Sequence, residues 1–399
     1  MTTTNYTNAN FFDGDHDGFT PNSWFSVDDI TGRVVASGTG SPAPADHEVD
    51  FHGQYVMPGM INCHVHVGAD AFHTTDGPDN EATTTMMAIN NLRDAIQAGI
   101  TYVRNLGTSY DVDIKIRNNH DRYGFPTPGI VAAGRAMSIT GGHGDGADHK
   151  DGDSYLVDSP DEMRKATRQA FKNGADCIKV MATGGVMSKG DDPRDVAFTP
   201  EEIGVAIREA HARRRKVAAH AQGTEGIRVA LEAGIDSIEH GIYIDESEAG
   251  FMVEHHVYLV PTLNAVEAIV VKGPGKIPEH MTRKATEFSQ AFYDNMRMAV
   301  RKGVPMATGT DAGTPFNDFK EGYWNELDLM VNKIGVSPQD TLYAATKNAA
   351  ELIGVDADYG TMEPGKFADF IVINENPIAD INAIRQDDKQ VYQHGERRF

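Results

Sequence analysis

Six side chains in this sequence have the types and spacing of a metal centre that could activate water. His64 and His66 stand two apart in the stretch NCHVH. On a strand, side chains at i and i+2 leave the same face about 6.6 Å apart at Cα, so both imidazoles can converge on one ion. Cys63 and Val65 would then face away. Lys179, His220, His240 and Asp311 follow in IKVM, AAHAQG, SIEHG and TGTDAG, each ending or following a short apolar run. An isolated His-x-His pair is commonly no more than two hydrogen-bonded histidines, and it is the repetition at successive run ends that points to chemistry. Four imidazoles and a carboxylate suit a borderline-soft divalent ion such as zinc, with manganese or cobalt as substitutes, and the set is large enough for two ions. Lys179 is the odd member, because an ammonium has no lone pair. Burial lowers a lysine from its usual value of about 10.4, and the neutral amine can add carbon dioxide to give a carbamate, a bridging carboxylate. The plainer alternative is a buried lysine paired with Asp311.

Elements with the texture of repeated βα units must carry these residues. Short β-branched runs at Ile61–His66, Ile100–Leu106, Ile130–Gly134, Asp176–Met181, Lys216–Ala221, Ile235–His240, Tyr258–Thr262 and Val304–Thr310 alternate with amphipathic stretches. Eight such units predict an α/β chain folded as a (β/α)8 TIM barrel, with the six residues at the C-terminal rim where barrel enzymes build their sites. Ser159-Pro160 and Thr199-Pro200, each with Glu three residues after the hydroxyl, predict capping boxes at helix starts. Ser337-Pro338 predicts a helix running to about Ile353, closed by Gly354. Residues before Met57 and after about Gly360 read as short strands and turns, and predict one small β-sandwich domain built from both ends. The expected division is 1–57 and 359–399 for that domain and 58–358 for the barrel.

Composition narrows the partners. Lys and Arg number 36 against 58 Asp and Glu, a formal charge of −22, which repels nucleic acid and anionic membranes. No apolar run is long enough to span a bilayer. Two cysteines cannot build a disulfide framework, and the opening MTTTNYTNANFFDGD lacks the basic and apolar regions of a signal peptide, so a cytoplasmic protein is expected. Cys177 is expected to fill the barrel interior and Cys63 to pack outward.

The order His-x-His, Lys, His, His, Asp, with VMPGMINCHVH at the first, resembles the amidohydrolase superfamily in its two-metal form with a carboxylated lysine. The longer strings SITGGHGDG, DCIKVMATGGV, AAHAQG, SIEHG and TGTDAG resemble a group within it: zinc dipeptidases and carboxypeptidases acting on Xaa-Pro or Xaa-Arg/Lys dipeptides, together with ochratoxin-type amidases and imidazolonepropionase-like proteins. The likeness runs from about Val56 to Asp369. It implies His64, His66 and Asp311 around the more buried ion, His220 and His240 around the more exposed one, and carboxylated Lys179 between them. It further implies hydrolysis of a peptide-like amide, a dipeptide or N-acyl amino acid, by a hydroxide bridging two ions, with Asp311 moving the proton as general base and acid. A homo-oligomer is expected. His143, in the glycine-rich loop Thr140–Asp153, is expected near the substrate carbonyl or carboxylate, while Asp145, Asp148 and His149 read as solvated loop residues. Related enzymes carry His or Tyr two residues after the fifth-strand histidine. This chain has Gln222, which can contact substrate but neither titrates nor stacks.

Three rivals remain on the same core. A one-metal deaminase would need a glutamate where Gly223 stands. A cyclic amidase such as imidazolonepropionase, or a lactone or organophosphate hydrolase, would share the metal residues. A non-catalytic oligomeric scaffold is the alternative of a different class, and such descendants lose ligands that this chain keeps.

Overall fold

The computed structural model describes residues 2–72, 80–145 and 154–399. Asp148 and His149 lie outside them, with most of the second half of the glycine-rich loop.

The N-terminal strands are β1 (Thr3–Phe11), β2 (Thr20–Asp28), β3 (Arg33–Thr39), β4 (His47–Asp50) and β5 (Tyr55–Pro58). The strands of the βα region are β6 (Met60–Val65), β7 (Ile100–Asn105), β8 (Gly129–Ala132), β9 (Ala136–Ser138), β10 (Ser154–Leu156), β11 (Ile178–Met181), β12 (Val217–Ala221), β13 (Ser237–His240) and β14 (Tyr258–Val260). The C-terminal strands are β15 (Phe370–Ile373), β16 (Gln390–Gln393) and β17 (Glu396–Arg397). The two ends join in one eight-stranded sheet ordered β17-β16-β15-β5-β1-β2-β3, with β4 paired to β1. Phe25 on β2 and Phe370 on β15 are separated by two strands, about 14 Å in a flat sheet. Their rings lie 5.1 Å apart, so the sheet curls around an aromatic cluster that also includes Tyr6, Phe51 and Tyr392.

The βα region holds two parallel sheets, β6-β7-β8 and β10-β9-β11-β12-β13-β14. Strands β11, β12 and β13 are buried at every position, as expected where helices cover parallel strands. The Asp176 amide donates to Ala132 O, linking β8 to the start of β11. On the far side, Val304–Thr310, expected to form the eighth strand, makes one bridge, Met306 with Leu259, and Ala312 just beyond it bridges Val65. Pro305 has no N–H to offer a ladder. The segment nonetheless bonds both neighbours, through Ala307 N to Leu259 O on β14 and Cys63 N to Thr308 O on β6. Gly309 permits this approach, since a Cβ there would lie 2.4 Å from Val260 Cγ1 and 3.0 Å from the His64 amide.

Two local expectations are corrected. The helix from Ser337 breaks into Pro338–Ala345 and Lys347–Ile353, because Thr346 at φ −133° and ψ −90° turns its Oγ1 back to Leu342 O at 2.6 Å. Gly354 caps the second piece in the left-handed region. Thr199 forms the full capping box, whereas Glu162 Oε2 accepts from the Asp158 amide in place of the Ser159 amide, so Ser159 has half of one.

Candidate metal centre

His64 lies near the end of β6 and His66 just beyond it, Lys179 lies in β11, His220 near the end of β12, His240 closes β13, and Asp311 follows the segment between β14 and β6. All six, with His143 and Gln222, line one cavity of about 720 Å³. Parallel strands explain the convergence: their C-terminal ends share one edge, and each contributes inward residues at or near that end. His240, Thr262 and Asp311 all hold left-handed backbone, at φ 71°, 51° and 59°. Such conformations cost about 1–3 kcal/mol each for residues other than glycine and collect at functional sites.

The hydrogen bonds assign the tautomers. His64 Nδ1 donates to Glu239 Oε2 at 2.9 Å, His66 Nδ1 to Gly107 O at 3.0 Å, and His220 Nε2 to Gly184 O at 3.1 Å. His240 Nδ1 meets Thr262 Oγ1 at 2.6 Å. Every imidazole thus spends one nitrogen on an outer partner and keeps the other for the centre, the arrangement that orients metal-binding histidines. Burial holds His64, His220 and His240 well below their usual pKa, so these rings are neutral. His64 Nε2 therefore presents a lone pair 3.4 Å from Asp311 Oδ1, and His66 Nε2 lies 3.0 Å from the same oxygen. Facing acceptors of this kind are reconciled by a cation between them, and the donor set fits a divalent metal.

Ligand atoms of His64, His66 and Asp311 all lie within 4.8 Å of one another. His220 and His240 stand outside that trio, with ring centroids 4.6 Å apart and His240 5.1 Å from His64. Lys179 Nζ is 3.3 Å from His64 Nε2, and burial lowers its pKa to about 8 against the opposing pull of Glu239 and Asp311. For Asp311, burial alone would raise the pKa, but His64, His66 and Lys179 together hold it below the usual carboxylate range. His143 packs flat on His220, centroids 4.4 Å apart, with Nδ1 2.7 Å from Ser188 Oγ. Burial pulls its pKa down to about 4. Gln222 is buried, and its Oε1 has no hydrogen-bond partner. Asp145 is half-buried rather than simply solvated, and its Oδ2 accepts the Gly141 amide at 2.7 Å.

Sequence reasoning missed the groups behind the histidines. Arg104 and Glu239 are fully buried and paired at 2.8 Å, and Glu239 in turn holds His64. Their signal was present: a lone Arg in ITYVRN and a lone Glu in SIEH are opposite charges inside two apolar strands, and buried charges must pair. Cys63 does not pack away from the centre as expected but shares a buried cluster with Cys177. A register shift between Asn62 and Val65 against β7 breaks the two-residue alternation there.

Residues 55–394, most of the chain, match the Amidohydrolase family. The chain belongs to the amidohydrolase family. As an amidohydrolase it is a hydrolase acting on carbon–nitrogen bonds. It is 32% identical to ochratoxinase of Aspergillus niger over 83% of this chain and 72% of that protein. It superposes on a Xaa-Pro dipeptidase, solved with methionine in its active site, at TM-score 0.91 and 31% identity over 99% of both chains. Imidazolonepropionase of Rhizorhabdus wittichii is 24% identical over 86% of each. Among the described residues no helix of this amidohydrolase is long and apolar enough to cross a membrane.

Proposed function

We propose that this amidohydrolase cleaves a peptide-like amide bond, in a dipeptide or an N-acyl amino acid, at a centre of two divalent ions. Zinc fits the donors best, with manganese or cobalt as substitutes. The observation that carries the proposal is the set of four histidines, each with one nitrogen tied outward and one left for the cavity they share with Lys179 and Asp311. In this reading the two parallel sheets close as a (β/α)8 barrel through residues 305–312, residues 58–358 form the hydrolase domain, and 1–57 with 359–399 form a β-sandwich beside it.

His64, His66 and Asp311 would hold one ion, His220 and His240 the other, and carboxylated Lys179 would bridge them. Such ions acidify water and polarise a carbonyl. Lys179 suits the bridging role because its lowered pKa leaves a neutral amine available near pH 8. Its nitrogen bonds to the carbon of carbon dioxide with release of one proton, and the product is an anionic carbamate. Asp311, ionised and beside His64 and His66, takes the proton of the attacking water and returns it to the departing amine. Neutral His143, with Nδ1 engaged by Ser188, keeps Nε2 for the substrate's carbonyl or carboxylate. The unpartnered Gln222 Oε1 suits an N–H of the substrate, since leaving such an acceptor unpaired in the complex costs binding.

The test is a panel of dipeptides and N-acyl amino acids with the zinc- or manganese-loaded enzyme. Turnover well above background on at least one class is expected; background rates throughout would overturn the substrate assignment. Cyclic amides belong in the panel because of the imidazolonepropionase relative, and a preference for them would replace the linear reading. Metal analysis of the purified protein should give two ions per chain, and fewer than about one would favour a scaffold. Lys179→Ala should retain one ion or none, and retention of both would remove the bridge.

A further inference from the structure

One network in the cavity wall is used by neither the ligand set nor the chemistry above. Lys284, on the long helix Glu279–Lys302, is 6% exposed. Its Nζ donates to the backbone carbonyls of Gly185 at 2.9 Å, Ser188 at 2.7 Å, and Asp191, and lies 3.4 Å from Asp191 Oδ1. An ammonium has three N–H donors, so three converging carbonyls use all of them. His280, one turn earlier on the same helix, contacts Met187 O through Nε2 at 3.2 Å. Asp191 Oδ2 closes the knot by accepting the Gly185 amide at 3.1 Å.

The segment pinned in this way touches both histidines at one side of the cavity. Ser188 Oγ bonds His143 Nδ1, and Gly184 O accepts from His220 Nε2. Gly185 forms a bed for the His143 ring, because a Cβ at that position would meet ring atoms at 2.4–2.8 Å. Asp191 Oδ2 stands 3.8 Å from His143 Nδ1. Lys284 does not line the cavity, although its neighbour Ala285 does.

We infer that Lys284 is a positioning residue for substrate binding: by pinning residues 184–191 to the Glu279–Lys302 helix it fixes the orientation of His143 from outside the cavity. The inference rests on the proposed function for the role of His143, so the test includes an arm that needs no substrate. Removing the ammonium leaves three carbonyls and a carboxylate without their common donor, and the segment then opens locally while the strands stay in place. Lys189 lies exposed in that segment and offers a site for trypsin.

In Lys284→Met, tryptic cleavage after Lys189 should accelerate by about tenfold or more, as expected when the opening equilibrium of a segment shifts. KM should rise by about five- to tenfold, the factor for one lost hydrogen bond, with kcat within about twofold and metal content unchanged. Ser188→Ala alters only a half-buried hydroxyl and should raise KM comparably without faster cleavage or a lower Tm. Wild-type cleavage in Lys284→Met would overturn the pinning. Faster cleavage with unchanged KM, or Ser188→Ala with unchanged KM, would overturn the positioning role. If Lys284→Met does not accumulate as folded protein, Ser188→Ala decides the question. If no amide in the panel is turned over, the functional reading fails while the cleavage arm still decides the pinning.

Discussion

Asp311→Asn is expected to lower kcat by about 10²- to 10⁴-fold, the contribution of a positioned proton carrier. Asparagine is the right replacement because it tolerates the left-handed φ of 59° at this position nearly as well as aspartate. The backbone is also held independently of the side chain: Thr314 Oγ1 and Asn317 Nδ2 donate to Asp311 O at 2.7 and 3.1 Å. The substitution therefore removes charge and basicity with little change of shape. Metal content must be measured on the same preparation, since a lost ion and a lost base both lower kcat. Asp311→Asn protein that keeps two ions and wild-type kcat would sink the proton-transfer role. Two ions with a kcat decreased in the expected range would separate the base from the ligand.

The placement of Asp311, the four histidines and Lys179 around one cavity was legible in the sequence for a simple reason. All but Lys179, which lies one pleat inside IKVM, end or follow an apolar run, and parallel strands of a βα repeat all end on the same side. Reading where a run stops requires no knowledge of its neighbours. Packing behind the site does require such knowledge. Arg104 and Glu239 are 135 residues apart, and only the strand order brings them to 2.8 Å. The Cys63 expectation failed because two-residue alternation presumes an unbroken ladder, and the register shift between Asn62 and Val65 depends on β7, not on β6 alone. The hold of Lys284 on Gly185, Ser188 and Asp191 is made through backbone carbonyls, which carry no residue-specific signal. The break at Thr346 was missed for a related reason, since a hydroxyl that turns back on a carbonyl competes with the helix without leaving a Pro or Gly to mark it.

Arg104→Met should cost about 3–5 kcal/mol of stability in urea unfolding, the usual price of stranding one member of a buried ion pair. The guanidinium donates to Cys63 O at 2.6 Å, Ser237 Oγ at 3.1 Å and Glu239 Oε1 at 2.8 Å, so it ties β7 to both β6 and β13 across the interior. Methionine fills most of the volume but leaves Glu239, among the described residues, with Ser237 Oγ and His64 Nδ1 as its side-chain donors. Adding Glu239→Gln removes the stranded charge while keeping an acceptor for His64 Nδ1, and should recover a large part of the loss. A single substitution costing under about 1 kcal/mol would mean that this pair does not anchor the interior. Because Glu239 joins Arg104 directly to His64, the same experiment reports on function: Arg104→Met should weaken retention of the first ion, as loss of a partner behind a ligand typically does by about 10- to 100-fold. The rim proposed to hold the metal would then depend on a charge pair one layer beneath it, and a variant that is destabilised yet binds metal with wild-type affinity would separate the two.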